Sequence, residues 1–423
     1  QVKVHIREVF ERPTVRQLAA IIQGRESQTP VAIDAIPDGP DYALSHAQRR
    51  LWIIDHMDVD HAAYNVASVT RLRGRLHVDH LGLALTQLIQ RHESLRTRFT
   101  ELDGEPRQIV EQTVERFFVE EDLRHVPDAW EESLTRAIAE THSAFDLEQT
   151  PLFRVSLFCV GSDDHVLVFN MHHIISDGWS LDLIVQELLT LYRQQASGGE
   201  CLAPLSIQYR DYAKWQNDRL AHEEMAKHKR HWLEQLSNQI PVLDLPADAQ
   251  RPAVQSYRGA LARFNLPADV SEAIHELGRQ HRTSHFMTCL AVVKVLLHRY
   301  TGSGDIIVGA PIAGREHPDL KSQVGFFVNM LTLRDQVSGQ DTATAVIERV
   351  RSTVEAALDH GTYPFDMLVE ELDLSRDMGR NPLFDVVVSF RDARDVGDPL
   401  PELVVEPVDF EPGTCKFDLT FFF

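Results

Sequence analysis

Between His165 and Tyr192 the hydrophobic pattern changes period once, from two residues to about 3.6, and the change falls on His172-His173-Ile174-Ile175-Ser176-Asp177-Gly178. Read as a strand, Val166, Val168, Asn170 and His172 point one way and Leu167, Phe169, Met171 and His173 the other, which sets the two histidines on opposite faces. Beyond the turn, Leu181, Ile184, Val185, Leu188 and Tyr192 share one helical face. Ser180 then reads as the N-cap and Asp177-Gly178 as the strand-to-helix corner. Such a corner aims backbone N–H groups and a helix N-terminus at whatever sits above it.

The same periodicities divide the rest of the chain. Val15, Leu18, Ala19 and Ile22 predict a short helix, too little to fold alone, and residues 25 to 41, with Pro30, Pro37, Gly39 and Pro40, read as a linker. A strand is expected at Val66 to Leu72, then a long helix whose stripe of Leu81, Leu85, Leu88, His92 and Leu95 makes His92 a core histidine with a local hydrogen bond. A polar helix running from Tyr209 to about Leu236 marks the expected boundary between two lobes. Helices at about 269–281, 284–300 and 342–360 then alternate with strands at 306–311, 326–333, 384–390 and 402–410, which sets the fold class as α/β. The apolar run Phe421-Phe422-Phe423 ends without a turn, so the second lobe is expected to be incomplete.

Composition narrows the function classes. A formal charge of 42 − 63 = −21 argues against nucleic acid, whose binding needs clustered Lys and Arg. Four cysteines, Cys159, Cys201, Cys289 and Cys415, form no C-x-x-C pair and point to a reducing, cytoplasmic setting without a zinc site. The most apolar helical stretch, Phe286 to Leu297, is broken by Lys294 and falls short of the ~20 residues needed to span a membrane.

An ordered series of segments resembles the condensation domain of a nonribosomal peptide synthetase over residues 42 to 423. The series is Leu44 to Trp52, Arg91 to Phe99, the His-His-x-x-x-Asp-Gly core within Met171 to Ser180, Tyr209 to Trp215, Val324 to Asn329, His360 to Phe365 and Arg380 to Phe384. Residues 1 to 24 resemble the last helix of a peptidyl carrier domain. The resemblance implies two chloramphenicol-acetyltransferase-like lobes, 42–208 and 209–423, arranged as a V around a central tunnel. It implies no bound cofactor; phosphopantetheine thioesters would arrive on upstream donor and downstream acceptor carrier domains, with an adenylation domain adjacent and no membrane partner. The product class would be a peptide antibiotic or siderophore.

The implied reaction is attack by the α-amine of an acceptor aminoacyl thioester on a donor thioester carbonyl. It needs a neutral amine, positioning and support for an oxyanion. His173, Gly178 and His172 form the candidate catalytic set. His173 would accept a proton or orient the amine, Gly178 would offer its N–H without a Cβ in the way, and His172 would brace the loop. Asp177 is expected to fix the turn through an arginine, Arg96 or Arg315. Trp215, Asn329 and Ser176 are carried over as tunnel or lobe-contact residues. A nucleophilic Ser176 or Ser180 lacks the Gly-x-Ser-x-Gly elbow, and a His-His-Asp metal site would need two histidines that diverge. The continuation Gly178-Trp179-Ser180 differs from epimerisation domains, His172 and His173 exclude cyclisation domains, and Ser45 to Arg49 resembles domains with an L-configured donor. The rival from another class is a non-catalytic condensation-like module that recruits a carrier or tailoring enzyme.

Overall fold

A computed structural model describes residues 4, 8–9, 12, 14–25, 32–57, 61–198, 201–374, 377–390, 402–411 and 413–423. After helix α1 (Val15–Gln23) come β1 (Tyr42–Ala43), α2 (His46–Asp55), β2 (Asn65–Gly74), α3 (Val78–Arg91), β3 (Thr97–Leu102), β4 (Glu105–Val110), β5 (Phe118–Asp122), α4 (Ala129–Thr141), β6 (Phe153–Gly161), β7 (Asp164–His172) and α5 (Gly178–Ser197). The second half adds α6 (Tyr209–Leu220), α7 (Met225–Gln235), α8 (Ala268–His281), α9 (His285–Thr301), β8 (Asp305–Ile312), β9 (Asn329–Gln336), α10 (Ala343–Asp359), α11 (Phe365–Glu371), β10 (Val386–Ser389), β11 (Leu403–Pro407) and β12 (Leu419–Phe422). The expected helix from 209 to 236 is therefore two helices. The strand expected at 326–333 begins only at Asn329 and leaves 326–328 outside the strand ladder, where the lobe contact uses them.

β7 is the centre of a five-stranded sheet ordered β11-β2-β7-β6-β5. Its alternation serves two cores: Leu167, Phe169 and Met171 join the core under α3 and α5, while Val166 and Val168 pack with Val69, Leu123 and Ala137 on the α4 side. Burial on both faces explains why the strand reads as a nearly continuous apolar run. In the second lobe a four-stranded sheet, β12-β10-β8-β9, packs against α9 and α10. Lys294, the interruption in the apolar helix, turns into this core fully buried and donates to the Leu333 carbonyl at 2.8 Å and to the Asp335 carboxylate.

The boundary at 209 needs one correction. β11 follows it in sequence yet pairs antiparallel with β2, Leu403 opposite Gly74 through Pro407 opposite Thr70, so the second half of the chain closes the edge of the first lobe's sheet. The linker reading also changes. Ile33 is buried with Ile207, Tyr209, Tyr212, Leu320 and Phe327, and the Ile36 N–H donates to Asp211 Oδ1 at 3.0 Å, so this otherwise exposed stretch is anchored at Ile33 and Ile36.

A buried latch joins the lobes. Arg315 donates from one nitrogen to Asp177 Oδ1 and Oδ2 at 3.0 and 3.2 Å, and from another to the carbonyls of Leu320 and Gln323, both at 2.6 Å. Asp177 also accepts the Phe327 N–H at 3.1 Å and the Ser180 N–H at 2.7 Å. The segment from Val324 to Phe327 is held at every residue: Ser94 Oγ donates to Val324 O, the Gly325 N–H donates to Ser180 Oγ, and Tyr209 Oη donates to Phe326 O. Gly325 is required here, because a Cβ would meet the Tyr209 ring at 1.9 Å.

Removing one member of a buried ion pair leaves the other charged and unsatisfied, at a cost of about 3–5 kcal/mol. Asp177→Ala is therefore expected to lower stability by that order in chemical denaturation. Asp366→Asn, which breaks the partly exposed lobe-spanning pair with His46 Nδ1 (2.8 Å), is expected to cost about 1 kcal/mol or less. Equal losses from the two variants would show that the latch carries no special share.

Candidate active site

β7 ends at His172, and His173-Ile174-Ile175 form one 3₁₀ turn before Asp177 caps α5. The cap is Asp177 and not Ser180. Asp177 is extended (φ −138°, ψ 179°) and takes the Ser180 N–H, while the Ser180 hydroxyl sits on the third helical residue, 2.8 Å from Gly325 O and within reach of Arg315. A serine close to a helix start has the composition of a cap, but the carboxylate that precedes it in the turn has the geometry.

The two histidines have different surroundings. His172 is 2% exposed, its Nδ1 accepts the Ile174 N–H at 3.1 Å, and its ring meets Phe145 edge-on, contacts that brace the turn. His173 is half-buried, and its Nδ1 lies 2.8 Å from the Ser176 carbonyl. A carbonyl can only accept, so Nδ1 carries the hydrogen and Nε2 keeps its lone pair while the ring is neutral. Burial, with the Lys416 charge acting the same way, pushes the His173 pKa well below its ordinary value. The α5 N-terminus close by in the chain also disfavours a cation there.

Gly178 is exposed, and a Cβ built on it would have nothing within 4 Å, so open space lies against the first helical residue. Its N–H belongs to the helix end and has no acceptor within the helix. The site thus presents a neutral imidazole and, a short turn further along the chain, a helix N-terminus. These can take a proton and favour a developing negative charge.

The other predicted residues separate. Arg315 is the partner of Asp177, whereas Arg96 is not: it donates to the Glu111 carbonyl at 2.5 Å and pairs with Glu93. Ser176 is not a tunnel residue. It is fully buried, its carbonyl holds His173, and its hydroxyl lies 3.5 Å from His172 O. Trp215 and Asn329 both line an inter-lobe cavity of about 200 Å³, together with Arg50, His317 and Phe326. Asn329 is fully engaged within the second lobe, donating to Gly361 O and Tyr363 O and accepting the Phe365 N–H, so it clamps the cavity wall. Phe326 faces this cavity and also packs on His173, with ring centroids 4.7 Å apart. His92, placed in the core, bonds Glu187 Oε2 of α5 at 2.7 Å, a distant partner and not a local one.

Sequence reasoning missed Arg50, Tyr64 and Lys416, which surround the same centre. Only the lone cation ahead of the final apolar run could have signalled Lys416. Among the described residues no group of three His, Cys, Asp or Glu side chains is placed to hold a metal ion, and no helix is long and apolar enough to cross a membrane.

The chain is 38% identical over 420 residues to surfactin synthase subunit 1 of Bacillus subtilis (strain 168), covering 99% of this chain and 11% of that protein. It is 38% identical over 419 residues to tyrocidine synthase 3 of Brevibacillus parabrevis, covering 99% and 6%. It therefore spans only a small part of these curated relatives. Among solved structures, the X-domain from teicoplanin biosynthesis superposes with a TM-score of 0.82 at 26% identity, covering 92% of this chain and 87% of that one. The first condensation domain of the CDA synthetase gives 0.70 at 21%, covering 88% and 87%, a likeness of fold. The family model described as "Condensation domain" matches residues 40–421, and the chain belongs to the condensation-domain family of nonribosomal peptide synthetases.

Proposed function

We propose that this domain joins a donor aminoacyl or peptidyl thioester, L-configured at its reacting residue, to the amine of an acceptor aminoacyl thioester, both carried on phosphopantetheine arms. The observation that carries the reading is His173: a ring tied at Nδ1 and held neutral, with no partner for Nε2 among the described residues, packed on Phe326, which lines the inter-lobe cavity. The acceptor nitrogen attacks the carbonyl carbon, and its lone pair forms the new C–N bond. Nε2 of His173 takes the amine proton as the tetrahedral species forms. That species collapses with loss of the C–S bond, the sulfur leaves as thiolate, and the proton returns to it. The oxygen gains negative charge at the intermediate stage, where the open N-terminus of α5 at Gly178 supports it.

His172 and Asp177 are positioning residues in this reading. Upstream and downstream carrier domains and an adjacent adenylation domain are the proposed partners, residues 1–24 the end of the upstream carrier, and the cytoplasm the compartment. The membership of a multidomain family supports the carrier and adenylation partners. One observation favours a second reading, a recruiting module: the likeness to the teicoplanin X-domain, also solved in complex with OxyB.

The deciding measurement is single-turnover amide formation by the intact multidomain protein with loaded donor and acceptor carriers. His173→Ala and His173→Gln are expected to lower the rate by about a hundredfold or more. Unchanged rates in both would put the recruiting module first. Gly178→Ala is expected to fold normally, because its Cβ enters open space, yet to slow the reaction by about ten- to hundredfold by filling substrate space.

The pH dependence follows in sign. A base whose pKa is lowered stays neutral above that depressed value, so loss of activity from protonating His173 is expected only well below the ordinary histidine range. An acid limb that moves when the acceptor amine is changed belongs to the amine. A limb in the ordinary histidine range, unmoved by the choice of acceptor, would contradict the neutral buried imidazole.

A further inference from the structure

Two cations face the centre without a carboxylate. Lys416 and Arg50 have no ion-pair partner among the described residues, although acids outnumber Lys and Arg by 63 to 42 and the buried cations Arg315 and Lys294 are both paired. Arg50 instead lies over the Phe365 ring at 4.8 Å, and the Lys416 ammonium lies over the Tyr64 ring at 5.2 Å. Tyr64 immediately precedes β2, whose first residue, Asn65, is opposite His172. The ammonium is thereby brought to the end of β7 where His173 begins.

The segment that delivers Lys416 is clamped. Its carbonyl accepts Gln255 Nε2 at 3.1 Å and Asn381 Nδ2 at 3.0 Å, which gives the Arg380-to-Phe384 segment a role in this centre. The Cys415 N–H donates to the Tyr257 carbonyl at 2.8 Å, and Thr414 bridges to Arg258. Tyr257 itself holds φ at 52°, a left-handed conformation uncommon for an aromatic residue and characteristic of over-determined sites.

We propose that Lys416 is an electrostatic positioning residue, whose ammonium biases both His173 and the entering α-amine toward their neutral, reactive forms. The inference rests on the acid–base reading of His173. A nearby positive charge disfavours protonation of any base that shares its low-dielectric space. The charged and titratable groups around it are Arg50 from α2, His172 and His173 from the turn, and the phenols of Tyr64 and Tyr257. Among the described residues none of these is an acid; the nearest carboxylates in the same elements are Asp418, paired with Arg251, and Asp366, paired with His46. Burial and Arg50 lower the Lys416 pKa to about 8, so the ammonium is the major form below that pH and fades above it.

The test is the pH profile of single-turnover amide formation by the intact protein, for wild type, Lys416→Met, Lys416→Gln, Lys416→Arg and His173→Ala. Both neutral variants are expected to shift the acid limb upward by about one pH unit, which is about a tenfold loss at pH values below the limb. They should meet wild type above about pH 9, where the wild-type lysine is itself neutral. Lys416→Arg should keep the original profile. A ring-proton NMR titration of His173 in Lys416→Gln should show its pKa raised. A pH-independent loss in all three Lys416 variants would mark a structural role and overturn the proposal. Unshifted limbs, with His173→Ala still inactive, would sink the proposal and leave the function standing; full activity of His173→Ala would remove both.

Discussion

The buried pair between Asp177 and Arg315 is the constraint on which the site depends, because one carboxylate does three jobs at once. It caps α5, accepts the Phe327 N–H from the other half of the chain, and holds Arg315. Each job fixes a different degree of freedom: where the helix starts, how far the second lobe stands from it, and how the Val324-to-Phe327 segment lies. A carboxylate with this many donors is satisfied only when all are in place, so turn and lobe contact form together. His173 lies one turn before Asp177 in the chain, with Phe326 from the latched segment against its ring. The His173 imidazole is therefore positioned by the contact that joins the lobes.

Electrostatics at the site oppose a cation on balance, with the hydrogen bond from His173 to the Ser176 carbonyl acting the other way. Burial, a helix N-terminus and an unpaired lysine all disfavour protonated His173, and no carboxylate touches it among the described residues. His92 shows the contrast within the same lobe. Its ring is against Glu187 and carries the packing of α3 on α5. The chain has 21 histidines, and it is the partner, charge or carbonyl, that separates a structural imidazole from one kept free to take a proton.

Periodicity made the local elements legible. The switch of period after Met171 located β7, the turn and α5, and the apolar stripes of α3 and α5 were read with their buried residues. Arg315 was one of two candidates for Asp177, and only geometry rejected Arg96, because sequence spacing says nothing about which distant guanidinium reaches a turn. The failures share that origin. Ser180 resembled a cap by composition, while its hydroxyl serves Gly325 across the lobes. β11 was legible as a strand, but alternation cannot say which sheet edge it will join. Lys416 stood ahead of the final apolar run as one cation among 42 basic residues, and nothing local reveals that its neighbours in space are also cations or aromatic rings.

The lobes cross over at places of very different strength. The latch is buried and multiply bonded, and β11 adds a five-residue ladder on the edge of β2. By contrast, the pair between His46 and Asp366, which joins α2 to α11 beside the cavity, is partly open to solvent, with side chains 21% and 15% exposed. Water already solvates that pair, so separating it costs little, whereas separating Asp177 from Arg315 strands two charges in the interior. The stiffness therefore lies at the imidazole and the compliance at the cavity rim. That ordering suits the proposed reaction, in which the imidazole would stay within hydrogen-bond reach while a long substrate passes the wall formed by Trp215, Asn329 and Phe365.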